Sequence, residues 1–391
     1  MGAAVLSSTL MPSFLRISLL SLWLALGLSS CVQEYLPTVI SEEKNYLVVD
    51  GFINGNGITS ISLTRSLQLS AKGPYPPETR ATVFVESAGG QRYALMEATP
   101  GVYASPAQQL PANQNYRLYI RTATGREYAS DFTLLKTTPA IDALGGRPQA
   151  GGLQLYISAH DDRNLTQYYR WQYEETWEFT SAFRSTINYV NNQVVPRTEN
   201  IYNCWRTEKS TSLNTTSTVR LSQDAVRDYR LLFIPATSGR LHYTYSVLVR
   251  QYALSQAEFD YWEAVKKNTE NIGTLFDPLP SQIQGNVHSL TDAQEPVLGF
   301  VGAATVVEKR IFIKRTDLPN EWPTNLDGYE TCVGLDSFPS DRWKGLTLQE
   351  YFSNPTERIP VSKNGNFYTS QSPECVDCRL RGTPTKPSFW P

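Results

Sequence analysis

The sequence predicts a mostly β protein built as two β-sandwich-like domains, the first of immunoglobulin or transthyretin-like type and the second with one inserted helix. Three observations carry that expectation. Short runs alternate apolar and polar residues with period two, the mark of half-buried strands. Gly and Pro number 24 each in 391 residues, and they cluster between those runs as turn residues do. Aromatic residues make up 12% and charged residues 18%, so the chain has the core-forming payload that disordered, collagen-like and coiled-coil sequences lack. A net charge of -2 supplies no field that would capture nucleic acid or an anionic surface.

The elements follow in chain order. Arg16 is the only charge in residues 1–30, and an apolar run from Ile17 to Leu28 follows it. That run is shorter than the ~20 residues needed to span a bilayer and has the order of a secretory signal. It ends in Leu28-Ser29-Ser30-Cys31, which resembles a bacterial lipobox. The expectation is a signal peptide over 1–30, a lipid on Cys31 that anchors the chain to a membrane, and a tether over 31–44. No later apolar stretch reaches ~18 residues, so no transmembrane helix is expected.

Residues 45–138 read as the first sandwich. Tyr46–Ile53 is apolar and β-branched, and Asn54-Gly55-Asn56-Gly57 is a turn, since Asn and Gly tolerate positive φ. Ile61 and Leu63 alternate with Ser60, Ser62 and Thr64, and Tyr116, Leu118 and Ile120 alternate with Arg117, Tyr119 and Arg121. Ala81–Val85 and Tyr93–Met96 flank Gly89-Gly90 as a hairpin. Gly145-Gly146-Arg147-Pro148 reads as a linker.

Residues 139–391 read as a second β-rich domain. In Tyr168–Phe179 the odd positions Tyr169, Trp171, Tyr173, Trp177 and Phe179 share one face, and the even positions from Tyr168 to Glu178 share the other. Leu241–Gln251, Phe300–Ala304 and Val306–Ile313 are further strands. A helix near 255–270 is signalled by a capping box, Ser255 with Glu258, and by Phe259, Trp262 and Val265 at helical spacing.

Several stretches resemble one family: LVVDGFI around Val48, TPGVY ending at Tyr103, YSVLVRQYALS from Tyr245, KKNTENIGTLFDPLPSQIQGNV from Lys266, EPVLGFVGAATVVEKRIFI from Glu295, and CVDCRLRGTPTKPSFW from Cys375. They are similar to the domain-of-unknown-function family 4249, lipoproteins of Bacteroidota. The resemblance implies an outer-membrane lipoprotein, often associated with a TonB-dependent transporter. It implies no activity and transfers no site residue. Surface-exported lipoproteins of this kind typically carry several acidic residues just after the lipidated Cys, where this chain has only Glu34.

Candidate chemistry is sparse. Cys204, Cys332, Cys375 and Cys378 in an exported chain are expected to form two disulfides, with three pairings open. Cys375-Val376-Asp377-Cys378 has redox CxxC spacing, but Gly382, Pro384 and Pro387 deny it the following helix that lowers a thiol pKa. The three histidines, His160, His242 and His288, read as solvated. No GxSxG, HExxH, Walker A or GxGxxG pattern occurs. Glu174 and Glu175 point to opposite faces, so they cannot pair across a glycosidic bond. Glu175 lies on the apolar face between Tyr173 and Trp177, where it either lines a pocket, ends the strand or enters a buried ion pair. Tyr75, Tyr189, Tyr202 and Trp205 lie in loop-like segments, and Tyr202 and Trp205 are the aromatics expected to contact a partner.

The expected role is therefore a non-enzymatic accessory or ligand-capture subunit of a TonB-dependent transporter, without cofactor or metal. The alternatives are a structural envelope lipoprotein and, further off, a carbohydrate-active enzyme.

Overall fold

Period-two alternation becomes strand wherever the apolar face finds a second sheet to cover it. The computed structural model describes residues 45–67, 71, 73–270, 283–324 and 327–391. The expected signal peptide, the tether and Cys31 lie outside the described residues. Residues 45–391 form one compact unit that is mostly β.

An 11-stranded sheet takes most of its strands from residues 47–134. Leu47, Val49, Ile61, Leu63, Val83, Val85, Leu118 and Ile120 are buried in one core under it. The expected boundary at residue 139 is crossed. Val287–Ser289 pairs antiparallel with Glu127–Ser130, Val297–Leu298 pairs parallel with Leu47–Val48, and Ala303–Ala304 pairs parallel with Ile53–Asn54. Val287, Val301 and Ala303 belong to the same core, so residues 45–138 do not complete their own sheet. Gly299 makes the close approach feasible: its φ is +123°, and a Cβ there would lie 1.9 Å from the Val49 carbonyl oxygen. Of the strand expected over Phe300–Ala304, Ala303–Ala304 is extended into a ladder.

The second core lies between a three-stranded and a five-stranded sheet. The first orders Ala225–Pro235, Gly152–His160 and Ile141–Gln149. The stretch Gly145–Pro148 is thus the edge strand of this sheet and not a linker, because Gly145 and Gly146 pair with Tyr156 and Leu155. The second sheet orders Asn203–Lys209, Tyr168–Thr180, Thr244–Ala253 and Val306–Lys314, with Asn214–Ser217 also on the long strand. Leu153, Leu155 and Ile157 meet Tyr169, Trp171, Tyr245, Val247 and Val249 in the buried layer. The odd face of Tyr168–Thr180 is inward, as its alternation predicts.

The helix spans Gln256–Glu270. The Ser255 hydroxyl accepts from the Glu258 N–H at 3.1 Å, which is half of the expected capping box. The C-terminal stretch holds a small sheet of Asp336–Phe338, Phe367–Gln371 and Ile359–Asn364 over Phe338, Tyr351 and Phe352. Disulfides join Cys204 to Cys378 and Cys332 to Cys375. The tail then extends the five-stranded sheet at its edge, where Trp205 and Thr383 exchange both backbone hydrogen bonds, at 2.8 and 2.9 Å. Among the described residues no helix is long and apolar enough to cross a membrane.

Candidate functional site

The inward aromatics of Tyr168–Thr180 force its even residues outward, so Arg170, Gln172 and Glu174 stand on the open face of the five-stranded sheet. The ladder sets Gln172 beside Arg250 and Arg250 beside Glu308. Arg250 Nε donates to Glu308 Oε1 at 2.7 Å, and Arg310 lies 3.6 Å from Glu174. These charges neutralise one another. Packing closes the face at one end: the Gln256–Glu270 helix places Phe259 on Tyr168, with ring centroids 5.0 Å apart, and Trp262 under the Arg170 guanidinium at 3.8 Å. The Leu47–Asn54 strand supplies the opposite wall, with Phe52 edge-on to Tyr252 at 4.9 Å. Between them lies a cleft of about 900 Å³.

Arg170 is the cation of this cleft with a buried polar atom left unpartnered. Its Nε is buried with no hydrogen-bond partner, and none of its nitrogens bonds a described residue. Burial pulls its pKa below the ordinary arginine value, partly opposed by Glu258, Tyr252 and Asp50. Behind Trp262, Glu258 is 6% exposed. Its carboxylate accepts from Trp262 Nε1 at a long 3.5 Å. A Cβ on Gly302 would lie 2.0 Å from Glu258 Oε2, so the glycine leaves room for the carboxylate. Desolvation raises the Glu258 pKa to about 7, against the pull of Arg170. Several other polar groups of the cleft are already engaged: Asn56 bonds both ways with the Val306 backbone, and Gln172 Oε1 accepts from Tyr252.

A smaller pocket of about 230 Å³ opens at the far end of the same strand, beside Trp177, Arg240, Tyr329 and Arg381. Glu175 lies beneath it and resolves the open question about that residue: it is in a buried ion pair. Arg240 Nη1 donates to both Glu175 oxygens, at 2.9 and 3.1 Å, and the Tyr245 hydroxyl donates to Oε1 at 2.9 Å. The carboxylate holds Arg240 beside the Trp177 ring, 5.4 Å from its centroid.

The residues singled out from sequence fare unequally. Cys204, Cys332, Cys375 and Cys378 are all oxidised, and neither cysteine of the CxxC pair bonds the other. Trp205 is no loop contact residue. It is on the Asn203–Lys209 strand and 8% exposed, because Trp390 of the tail covers it edge-on. Tyr202 is half-buried with Arg184 over its ring at 5.5 Å, and Tyr189 packs on Phe352. Tyr75 is 64% exposed. His160 is a surface residue whose ring bonds Asp142 at 2.8 Å, and that bond raises its pKa. Residues 161–164 turn between the Gly152–His160 and Tyr168–Thr180 strands. Among the described residues no group of three or more His, Cys, Asp or Glu side chains is placed to hold a metal ion. Arg170 is not singled out from sequence, and Glu258 is expected only as a helix-capping residue. The available signal was an arginine flanked by Tyr169 and Trp171, and a glutamate one residue before the helix's first apolar position.

No curated protein matches the chain. Among solved structures, a DUF4785 family protein from Legionella pneumophila is 8% identical, with a TM-score of 0.19 over 52% of this chain and 51% of that one. The chain thus spans about half the length of that protein, and the score is too low to transfer a fold. The model of a family described as a domain of unknown function, DUF4249, matches residues 32–310. This chain, in which that match takes in the N-terminal sheet, the cleft and its helix, belongs to the DUF4249 family.

Proposed function

We propose that the protein is a lipid-anchored outer-membrane subunit that captures a ligand for a TonB-dependent transporter. The observation that carries the capture role is the cleft of about 900 Å³ with aromatic walls and an arginine whose buried Nε has no partner. Binding sites are concave, largely apolar and provided with a few polar groups left open for the ligand. The membrane part of the reading is supported by the apolar run ending at Leu28-Ser29-Ser30-Cys31. The transporter part is supported by the resemblance set out above. A tether raises the effective concentration of the body near a membrane partner, so the contact can be weak.

The test is a pull-down of tagged protein from detergent-solubilised outer membranes. A TonB-dependent transporter is expected in the eluate, in a yield little changed by salt, because the net charge of -2 gives little long-range steering. Recovery of the protein alone would overturn the transporter role. Hydrolysis of a glycan or peptide library, lost on mutating one carboxylate, would overturn the non-enzymatic one.

A further inference from the structure

We infer that the cleft takes a monocarboxylate with an apolar body, its carboxylate paired end-on with the outer nitrogens of Arg170. The inference rests on the capture role proposed above and names the chemical class captured. A guanidinium taken out of water without a partner is destabilising, and a bound anion offsets that cost. Here the buried Nε faces protein and the ring of Trp262 covers one face of the guanidinium. The residue remains partly exposed at the cleft floor. What remains for a ligand is the fork of the two outer nitrogens, whose geometry matches the two oxygens of a carboxylate.

The surroundings select the charge and the body. Arg250, the next cation along the sheet, is held by Glu308 at 2.7 Å. Asp50 and Glu308 also line the cleft. The charged side chains lining the cleft are Arg170, Lys209 and Arg250 against Asp50 and Glu308, an excess of one positive charge, so a single negative charge is matched and a dianionic phosphate is not. Phe52, Tyr252 and Trp262 offer aromatic surface beside the arginine, where an apolar body gains by burial.

The experiment titrates the purified full-length protein in detergent with three matched probes: phenylacetate, phenylacetamide and phenyl phosphate. Binding is read by calorimetry and by the Arg170 Nε–Hε signal in NMR. Phenylacetate is expected to bind at least about tenfold tighter than the amide, as a charge-assisted pair requires. Phenyl phosphate is expected to bind no tighter than phenylacetate. Arg170→Gln should reduce phenylacetate to the amide's affinity without lowering the melting temperature, since it removes an unpartnered charge. Arg170→Lys, which keeps the charge and loses the fork, should fall between. Equal affinity for acid and amide in the wild type would overturn the inference whether or not a variant folds. So would phosphate binding about tenfold tighter, or no heat from phenylacetate up to about 20 mM. The transporter reading is scored separately by the pull-down. Failure of the probes with a transporter in the eluate rejects the ligand class alone, and the converse rejects the transporter alone.

Discussion

Replacing Glu258 by Gln should flatten the pH dependence of stability between pH 5 and 8. Glu258 is buried behind Trp262, and its pKa stands at about 7 in the folded chain against 4.5 for the free side chain. Between those values the folded state keeps a proton that the unfolded state has lost. Stability therefore falls as pH rises through this window and levels off above pH 7. Each pKa unit is worth about 1.4 kcal/mol, so the full swing is on the order of 3 kcal/mol. The neighbours that set the value are Arg170, which favours the carboxylate, and the Trp262 N–H, which hydrogen-bonds it. Asp50, Tyr252 and Tyr261 act on Arg170 in turn. His160 also has a raised pKa and loses stability in the same direction, but it is common to both proteins and cancels in the difference. The assay is urea denaturation of wild type and Glu258→Gln at half-unit steps of pH. The variant should gain on the wild type steadily from pH 5 to 7 and hold a constant advantage above. Parallel curves over that range would refute a neutral, buried Glu258.

Three further outcomes are expected. Glu175→Ala should cost about 2–3 kcal/mol in urea denaturation, since Arg240 and the Tyr245 hydroxyl lose their shared partner; the low end applies because the arginine is about a third exposed. Removing the Cys204–Cys378 bond, in a Cys204→Ala, Cys378→Ala double variant, should cost about 2–4 kcal/mol, and mass spectrometry of the non-reduced protein should find all four body cysteines oxidised. Cys31→Ala should move the protein from the membrane fraction to the soluble fraction, and retention in the membrane would place the anchor elsewhere.

The strands with one wet and one dry face were legible from sequence. Tyr169, Trp171 and Tyr173 declare their inward face because every intervening residue is polar or can reach water. Segments whose pairing is decided at long range were not legible. Gly145-Gly146-Arg147-Pro148 has linker composition, yet it pairs with Leu155 and Tyr156 because that strand has an edge to fill. Trp205 has loop-like neighbours, and only the tail, pinned by Cys378 and laid back along its strand, buries it. The cleft was hidden for a related reason. Arg170 looks like an ordinary outward residue until the helix carries Trp262 over it, and the Ser255–Glu258 spacing suggests a carboxylate at the helix start that the fold instead draws inside.

The pairing of Leu47–Asn54 with Val297–Leu298 and Ala303–Ala304 bears on how the chain is made. A chain that emerges from its N-terminus completes residues 45–138 long before it delivers the strands that close them. Throughout that interval one side of Leu47–Asn54 offers unbonded N–H and C=O groups beside an apolar core, the configuration from which chains pair with one another. Contacts this distant in sequence also form slowly. Synthesis thus leaves the first sheet unfinished until most of the chain has been made, and a chaperone that shields an open strand edge during that wait would serve this fold more than one that shields its termini.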